Sequence, residues 1–306
     1  MRLKALQLKT QDPENAVDFY LNILGMQLVQ TYQSDKALIN ILQFSKSNTQ
    51  LELHFDKRQQ HYKSKYQQES NDIYWKYSLF VDNIQQVYST LSNQIEGINE
   101  PFQFGNIGYL MHTKDIENYQ IEFIQKTFKQ SISLPLPLKA NKTFPLYELP
   151  VMGLISLRTK DPVKSIHFYE TFFGMKLLVR MYVDRSNGFT LYFLGDNGLI
   201  APNPNIDAIE NREWMYQQNS AFIELQYYWS SEHQEEFELQ TKEEEPIGFK
   251  GVKFETKDLE KVKSDFLEKN ISFRSNVNVI QSRNEIQIMS PDKYVIIIQE
   301  NESENN

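Results

Sequence analysis

Two stretches of this chain repeat each other: LQLKTQDPENAVDFYLNILGMQLV at residues 6–29 and ISLRTKDPVKSIHFYETFFGMKLL at residues 155–178. Nine of the 24 paired positions are identical, including the Asp-Pro and Phe-Tyr pairs. A self-match at a fixed offset is the signature of an internal repeat. The sequence therefore predicts two similar domains, one after the other.

Each copy of the repeat predicts a strand followed by a helix. An Asp-Pro pair opens the helix, with Asp12 or Asp161 as the N-cap and proline at the first helical position. Gly25 and Gly174 stand where the helix should end, because glycine accepts the left-handed conformation of a C-terminal cap. Strand-like segments follow at 37–44, 50–55, 190–194 and 221–228. Each copy therefore predicts one βαβββ module.

A second, fainter module follows in each half of the chain. Its predicted strands and helices lie at 77–81, 83–93, 108–113 and 119–125, and at 252–256, 259–270, 285–289 and 294–299. We therefore expect an α+β fold of four βαβββ modules. The expected domains are residues 1–126 and 151–300, with a proline-containing linker at 127–150 and a polar tail at 301–306.

Composition excludes several classes of function. The chain has 32 Lys and Arg against 40 Asp and Glu, so its net charge of −8 does not attract nucleic acid or anionic lipid. The absence of cysteine excludes disulfides and thiolate metal sites. Because the net charge is negative, we expect no nucleic-acid partner. We also expect no membrane insertion, since no apolar run is long enough to span a bilayer. The N-terminus lacks a signal-type apolar run, so we expect a cytoplasmic or mitochondrial protein that is not secreted.

The segment RTKDPVKSIHFYETFFGMKLLVR at 158–180, with FTLYFL at 189–194, resembles the glyoxalase I (lactoylglutathione lyase) family of the vicinal oxygen chelate superfamily, in its fused two-domain form. The resemblance implies that modules one and four, and modules two and three, pair their curved sheets into two half-barrel pairs. It also implies a Zn or Ni ion in each barrel. The metal would hold the enediolate formed from methylglyoxal and glutathione, while a carboxylate moves the proton.

The resemblance further implies four metal-ligand positions per barrel. In the first barrel these are Ala5, Glu52, Gly251 and Ile297, and in the second they are Leu154, Glu224, Lys76 and Glu122. Of these side chains only the three glutamates can bind a metal, because a lysine ammonium has no lone pair. We expect no cofactor, with Glu52, Glu122 and Glu224 as remnant metal positions. Lys76 is expected to form an ion pair with the two glutamates of its barrel.

Other interpretations of the glutamates stay open. A carboxylate in an apolar strand is costly unless it is paired, so these residues fit an ion pair, ligand binding or catalysis. His54 shares the strand face of Glu52, which leaves a Glu–His metal pair as an alternative. If the protein is an enzyme, Glu122 is the expected catalytic base and Zn or Ni the expected cofactor.

Two residues are candidates for substrate binding. Arg158 matches the family's arginine for the glutathione carboxylate, with an exposed strand-end charge as the alternative. His112 falls near the family's apolar substrate pocket. A glutathione-like ligand is therefore a candidate, whereas His61, His167 and His233 are expected on loops or helix surfaces.

Two loops carry opposite charge. Residues 232–245 are rich in glutamate and residues 57–66 are rich in lysine and arginine. Such runs are solvated faces or docking surfaces for protein partners.

The leading hypothesis is a glyoxalase I-like protein with degenerate metal sites that acts as a binding or structural component of a larger assembly. The alternatives are an active lactoylglutathione lyase with one working site and a related enzyme for another small carbonyl or aromatic substrate. Both alternatives meet the same shortage of metal ligands.

Overall fold

The computed structural model of the protein describes residues 1–59, 64–131, 145–146, 149–185, 188–278 and 283–301. Most of the expected linker, the middle of the basic loop with His61, and the tail from residue 302 lie outside the described residues.

In its described residues, the first half of the chain contains eight strands and two α-helices. They are β1 (Arg2–Lys9), α1 (Pro13–Asp18), β2 (Gln27–Gln33), β3 (Ala37–Gln43), β4 (Gln50–Asp56), β5 (Tyr74–Val81), α2 (Ile84–Leu91), β6 (Phe102–Phe104), β7 (Gly108–Lys114) and β8 (Gln120–Gln125).

The second half repeats this order with one additional helix. It consists of β9 (Val151–Arg158), α3 (Pro162–Phe173), β10 (Met175–Val183), β11 (Phe189–Asp196), α4 (Glu210–Tyr216), β12 (Phe222–Tyr228), β13 (Gly248–Thr256), α5 (Leu259–Glu268), β14 (Arg274–Asn278), β15 (Arg283–Met289) and β16 (Val295–Glu300).

Local sequence explains where the repeat helices begin and end. The Asp12 carboxylate accepts a hydrogen bond from the Asn15 amide, and Asp161 does the same at the start of α3. Gly174 caps α3 with a φ of 63°. In the first copy a π-helical turn at Phe19–Ile23 follows α1 before the chain reverses at Gly25. The predicted caps are therefore present in both copies.

The strands form two eight-stranded sheets, each built from one module of either half. The first has the order β14-β15-β16-β13-β1-β4-β3-β2, and the second β10-β11-β12-β9-β5-β8-β7-β6. The antiparallel pairs β1–β13 and β5–β9 join the modules at the centre of each sheet. The predicted pairing of module one with four and of two with three is confirmed, as is the α+β fold class.

Helix α4 has no counterpart in the described part of the first half, and the sequence analysis does not predict it. It packs beside β10, where Leu178 and Met181 are buried. Among the described residues β2 has no counterpart of α4 beside it, and Leu28 and Val29, which match Leu177 and Leu178 in the repeat, are 43% and 52% exposed. A seven-residue helix is too short to leave a clear periodic pattern in sequence.

Part of the acidic segment 232–245 binds the first half of the chain. Gln240 exchanges backbone hydrogen bonds with Asn71 and Ile73, each of 2.9 Å. The Lys242 ammonium lies 2.9 Å from the Asp72 carboxylate. The backbone of this segment thus joins the two halves. None of the described helices is long and apolar enough to cross a membrane.

Candidate functional site

A buried lysine lies between two buried glutamates inside the second barrel. Lys76 comes from β5, Glu122 from the neighbouring β8 and Glu224 from β12, two strands away across β9. The Lys76 Nζ atom is 2.6 Å from Glu122 Oε2 and 3.0 Å from Glu224 Oε2. All three residues are at most 5% exposed.

Two serines complete the hydrogen bonding of this cluster. The Ser78 hydroxyl donates to Glu122 Oε2 at 2.6 Å, and the Ser156 hydroxyl donates to Glu224 Oε2. His112 Nε2 lies 3.1 Å from the other oxygen of Glu122, and its side chain is 40% exposed. The cluster therefore has one cation between two carboxylates, with a histidine on its open side.

The pKa values follow from this arrangement. Burial opposes ionisation of Glu122, but Lys76 and His112 outweigh it and lower the pKa of Glu122 to about 2. Burial and the charge of Glu122 raise the pKa of Glu224, although Lys76 and the Ser156 hydroxyl oppose the rise. Burial also disfavours the charged form of Lys76, but the two carboxylates raise its pKa. Lys76 and Glu122 are thus an ion pair at neutral pH, and Glu224 is the carboxyl that protonates more readily.

A cavity of about 220 Å³ borders the cluster. Its walls are mainly apolar and include the aromatic rings of Trp75, Phe102, Phe104, Phe189, Phe193 and Tyr216. His112 and Arg185 also line it, and Lys76, Glu122 and Glu224 supply its charged part. The chain thus has an apolar pocket with an ion-pair cluster in its wall.

The first barrel holds a different cluster around Glu52. The Lys253 ammonium lies 2.6 Å from Glu52 Oε1, while Gln7 Nε2 donates to Glu52 Oε2 at 2.7 Å. His54 Nε2 lies 3.1 Å from the same Oε2. Burial opposes the charge of Glu52, but Lys253 and His54 hold its pKa well below the usual range. Burial lowers the pKa of His54 to about 4, so this histidine is neutral at pH 7.

Strand register relates the two clusters. Gln7 and Ser156 occupy the same position of the repeat. Gln7 pairs with Gly251 in the first sheet and Ser156 pairs with Lys76 in the second, so Gly251 is the structural equivalent of Lys76. Lys253 correspondingly takes the place of Ser78, and Ile297 the place of Glu122. The sequence does not single out Gln7 or Lys253. Their position two residues beyond Ala5 and Gly251, on the same strand faces, is the signal that could have found them.

A larger cavity of about 740 Å³ opens from the Glu52 cluster. Its walls are polar and carry charges of both signs, among them Lys36, Arg58, Lys250 and Glu285, together with the neutral His54. Residues 243–245 of the acidic segment and Arg58 of the basic segment line its mouth. The two oppositely charged loops therefore meet at one cavity. Their role in docking a partner protein stays a prediction.

Arg158 does not line either barrel cavity. It is 5% exposed, which contradicts the interpretation as an exposed strand-end charge. Its guanidinium donates to the carbonyl of Asp72 at 2.6 Å and to the side chain of Gln226 at 3.1 Å. Arg158 is buried because the segment that precedes β5 supplies backbone acceptors, the carbonyl groups of Glu69 and Asp72. His167 and His233 lie on the surface, as expected.

The side chains at the family's ligand positions do not fit a metal ion in this arrangement. No group of three or more His, Asp or Glu residues within the described ranges is arranged to hold one. In each barrel a lysine ammonium already lies at hydrogen-bonding distance from the carboxylates. An ammonium cannot ligate, and its charge repels a cation.

Comparisons with known proteins agree with this fold. Residues 2–123 match the model of the Glyoxalase/Bleomycin resistance protein/Dioxygenase superfamily. Glyoxalase I of Saccharomyces cerevisiae is 28% identical over 141 residues, which are 46% of this chain and 41% of that protein. Lactoylglutathione lyase of Pseudomonas aeruginosa is 33% identical over 104 residues, 34% of this chain and 56% of that protein. The matched stretches thus span about half the length of these relatives.

Glyoxalase I from Zea mays has a TM-score of 0.67 at 17% identity, covering 98% of this chain and 92% of that one. At this identity the likeness shows the fold alone. The two sheets, each built from one module of either half, have the vicinal oxygen chelate (glyoxalase) fold. The chain is thus similar to glyoxalase I in sequence over about half of its length and in fold over nearly all of it.

Proposed function

We propose that this protein is a glyoxalase I-like protein without metal chemistry, which acts as a binding or structural component, and that the second barrel binds a small apolar molecule. One observation carries the proposal: the ammonium of Lys76 lies within 3.0 Å of both carboxylates at the family's ligand positions. A lysine here satisfies the two glutamates by ion pairing, which is the task a metal would otherwise perform.

The shape of the second cavity supports the binding role. A volume of about 220 Å³ suits a small ring compound, since an engineered apolar cavity of about 150 Å³ holds benzene. The aromatic walls supply apolar area, whereas the polar atoms of Lys76 are already hydrogen-bonded to the cluster. An apolar ring therefore gains burial without separating the ion pair.

The alternative is an active lactoylglutathione lyase, and the names of the two curated relatives make it the reaction to test. Glu122 lies at a cavity and next to His112, as a proton-transfer base would. However, a pKa of about 2 makes Glu122 a weak base at neutral pH. Without a metal to stabilise the enediolate, the transition state would lose several kcal/mol of stabilisation and the barrier would rise by the same amount.

A metal analysis combined with a ligand-restoring variant tests the proposal. We expect the purified wild-type protein to contain much less than one Zn or Ni per chain. With or without added metal, its rate of thioester formation from methylglyoxal and glutathione should stay far below an ordinary enzyme rate of about 10 per second. The double variant Leu154→Gln, Lys76→His should gain Zn or Ni, because it replaces the ammonium and adds two ligating side chains.

The single variant Leu154→Gln, which keeps Lys76, is the matched control and should not gain metal. Stoichiometric metal in the wild type, together with turnover that disappears in Glu122→Gln, would show that the protein is a working lyase.

A further inference from the structure

The first barrel contains a second candidate binding site whose chemistry differs from that of the apolar pocket. We propose that its cavity binds a small carboxylate with a hydrogen-bond donor on the adjacent carbon, which means a hydroxy acid or an amino acid. The carboxylate would bind Lys250, and the donor would bind Oε1 of Gln7. This site is independent of the function proposed for the second barrel.

A β-bulge directs Lys250 into the cavity. Gln7 pairs with Gly251 and Leu8 with Phe249, so Lys250 is the extra residue between two consecutive pairs. A bulge of this kind re-aims a side chain that would otherwise alternate to the opposite face. Lys250 accordingly lies in the wall of the 740 Å³ cavity and is exposed to it.

The second barrel has the same bulge with a different residue. There Tyr74 pairs with Leu157 and Lys76 with Ser156, so Trp75 is the extra residue. Trp75 lines the apolar cavity as Lys250 lines the polar one. The bulge position therefore supplies each barrel with one side chain that determines the chemistry of its ligand: an aromatic ring in the second barrel and a cation in the first.

Lys250 lacks a direct partner among the described residues, since its ammonium makes no hydrogen bond or ion pair with them. Loss of hydration between the cavity walls lowers the pKa of Lys250, and the more distant carboxylates of Glu285 and Glu52 only partly oppose this. A carboxylate in the cavity would provide the missing counter-charge.

Gln7 supplies an unused acceptor in the same cavity. The residue is 1% exposed, and its Nε2 is fixed by Glu52, so Oε1 points away from that carboxylate. Oε1 is buried and has no hydrogen-bond donor. A buried acceptor without a donor is costly, and a ligand hydroxyl or ammonium would satisfy it.

The cavity also carries negative charge, which restricts the ligand. Glu285 lies in the wall, and Glu243, Glu244 and Glu245 line the mouth. A large polyanion would meet these carboxylates. A small acid that places one carboxylate at Lys250 avoids them, and the ammonium of an amino acid would be attracted by Glu285.

The experiment is a titration of isotopically labelled full-length protein followed by NMR, with shifts of the Gly251 amide and the Gln7 side-chain amide as the readout. Glycerate and serine are the two probes, and they distinguish a hydroxy acid from an amino acid. Propionate, which lacks the donor, and glycerol, which lacks the charge, should each bind at least about tenfold more weakly than the better probe.

The variant Lys250→Met should weaken binding of the better probe by about tenfold or more, while Lys250→Arg should retain it within a few-fold. Lys176→Met, at an exposed position of β10, is the matched control and should bind as the wild type does. The proposal is wrong if neither probe shifts these signals at concentrations on the order of 10 mM. It is also wrong if propionate binds as well as glycerate and serine, or if Lys250→Met binds unchanged.

Discussion

At the scale of the residue, the two barrels differ in how a lysine neutralises buried carboxylate. Lys76 lies between two glutamates, so the second cluster has one positive and up to two negative charges. Lys253 faces the single carboxylate of Glu52, whose remaining hydrogen bonds come from Gln7 and His54. Both lysines come from the first strand of a module, where the family resemblance implies a metal ligand.

Removing Lys76 should be costly because it leaves two carboxylates buried without a cation. We expect Lys76→Met to lower the free energy of unfolding by about 3–5 kcal/mol at pH 7. Lys176→Met at an exposed position should change it by less than about 0.5 kcal/mol. Urea denaturation followed by circular dichroism measures both values.

The pH dependence of this loss has a defined sign. In the wild type the lowered pKa of Glu122 contributes stability above about pH 4.5 that is lost as the pH falls towards about 2. In Lys76→Met the lysine no longer offsets burial, so the pKa values of both glutamates rise relative to the wild type. The variant therefore loses stability relative to the wild type as the pH rises. The difference between variant and wild type should therefore be smaller at pH 4 than at pH 7. An equal difference at both pH values would contradict the ion-pair assignment.

At the scale of the element, the bulge in β13 decides which side chains can enter the first barrel. Gly251 has a φ of 155°, and an added Cβ would lie 2.6 Å from the carbonyl oxygen of Val295 on the neighbouring β16. This position corresponds to Lys76 in the other barrel. The first barrel therefore cannot accept a ligating side chain there without displacing a strand.

We expect Gly251→Ala to destabilise the protein by about 1–3 kcal/mol, because the methyl group meets backbone rather than a movable side chain. Gly198→Ala is the control, since its added Cβ would meet only the Asp196 carboxylate at 3.1 Å. Thermal unfolding of both variants checks this. A Gly251→Ala variant as stable as Gly198→Ala would show that β13 and β16 separate easily.

At the scale of the whole molecule, the two halves of the chain share both sheets. Strand β1 pairs with β13 and β5 pairs with β9, so each half supplies half of each sheet. Tyr119 adds a further link, because its hydroxyl donates to the Lys9 carbonyl at 2.7 Å and accepts from the Gly248 amide at 2.6 Å. The halves should fold as one cooperative unit.

Residues 1–140 alone should therefore be insoluble or oligomeric, since β1 and β5 would each lose an apolar partner strand. Co-expression with residues 141–306 should restore a soluble complex. The readouts are size-exclusion chromatography and the cooperativity of unfolding. A soluble, monomeric and cooperatively unfolding 1–140 fragment would contradict the exchange of modules.

Most of the element order can be predicted from the chain because it depends on local chemistry. The caps at Asp12 and Asp161 and the apolar alternation of the strands act over a few residues, and the repeat shows them twice. The three buried glutamates can also be predicted from local sequence, because each is a carboxylate within an apolar strand. His54 lies on the same strand as Glu52 and can be found from the sequence, and the family resemblance marks Lys76 and His112. The partners Gln7, Lys253 and Ser156 come from strands distant in sequence and are not marked.

The sequence by itself determined the repeated modules, their capped helices and the position of the buried carboxylates, because each depends on neighbours within one turn or one strand. Only the tertiary structure decided that Gln7 and Lys253 surround Glu52, that Arg158 is buried, and that Lys250 and Trp75 enter the cavities. These features depend on strand register between segments far apart in the chain. A bulge shifts that register by one residue and leaves no periodic trace in the sequence.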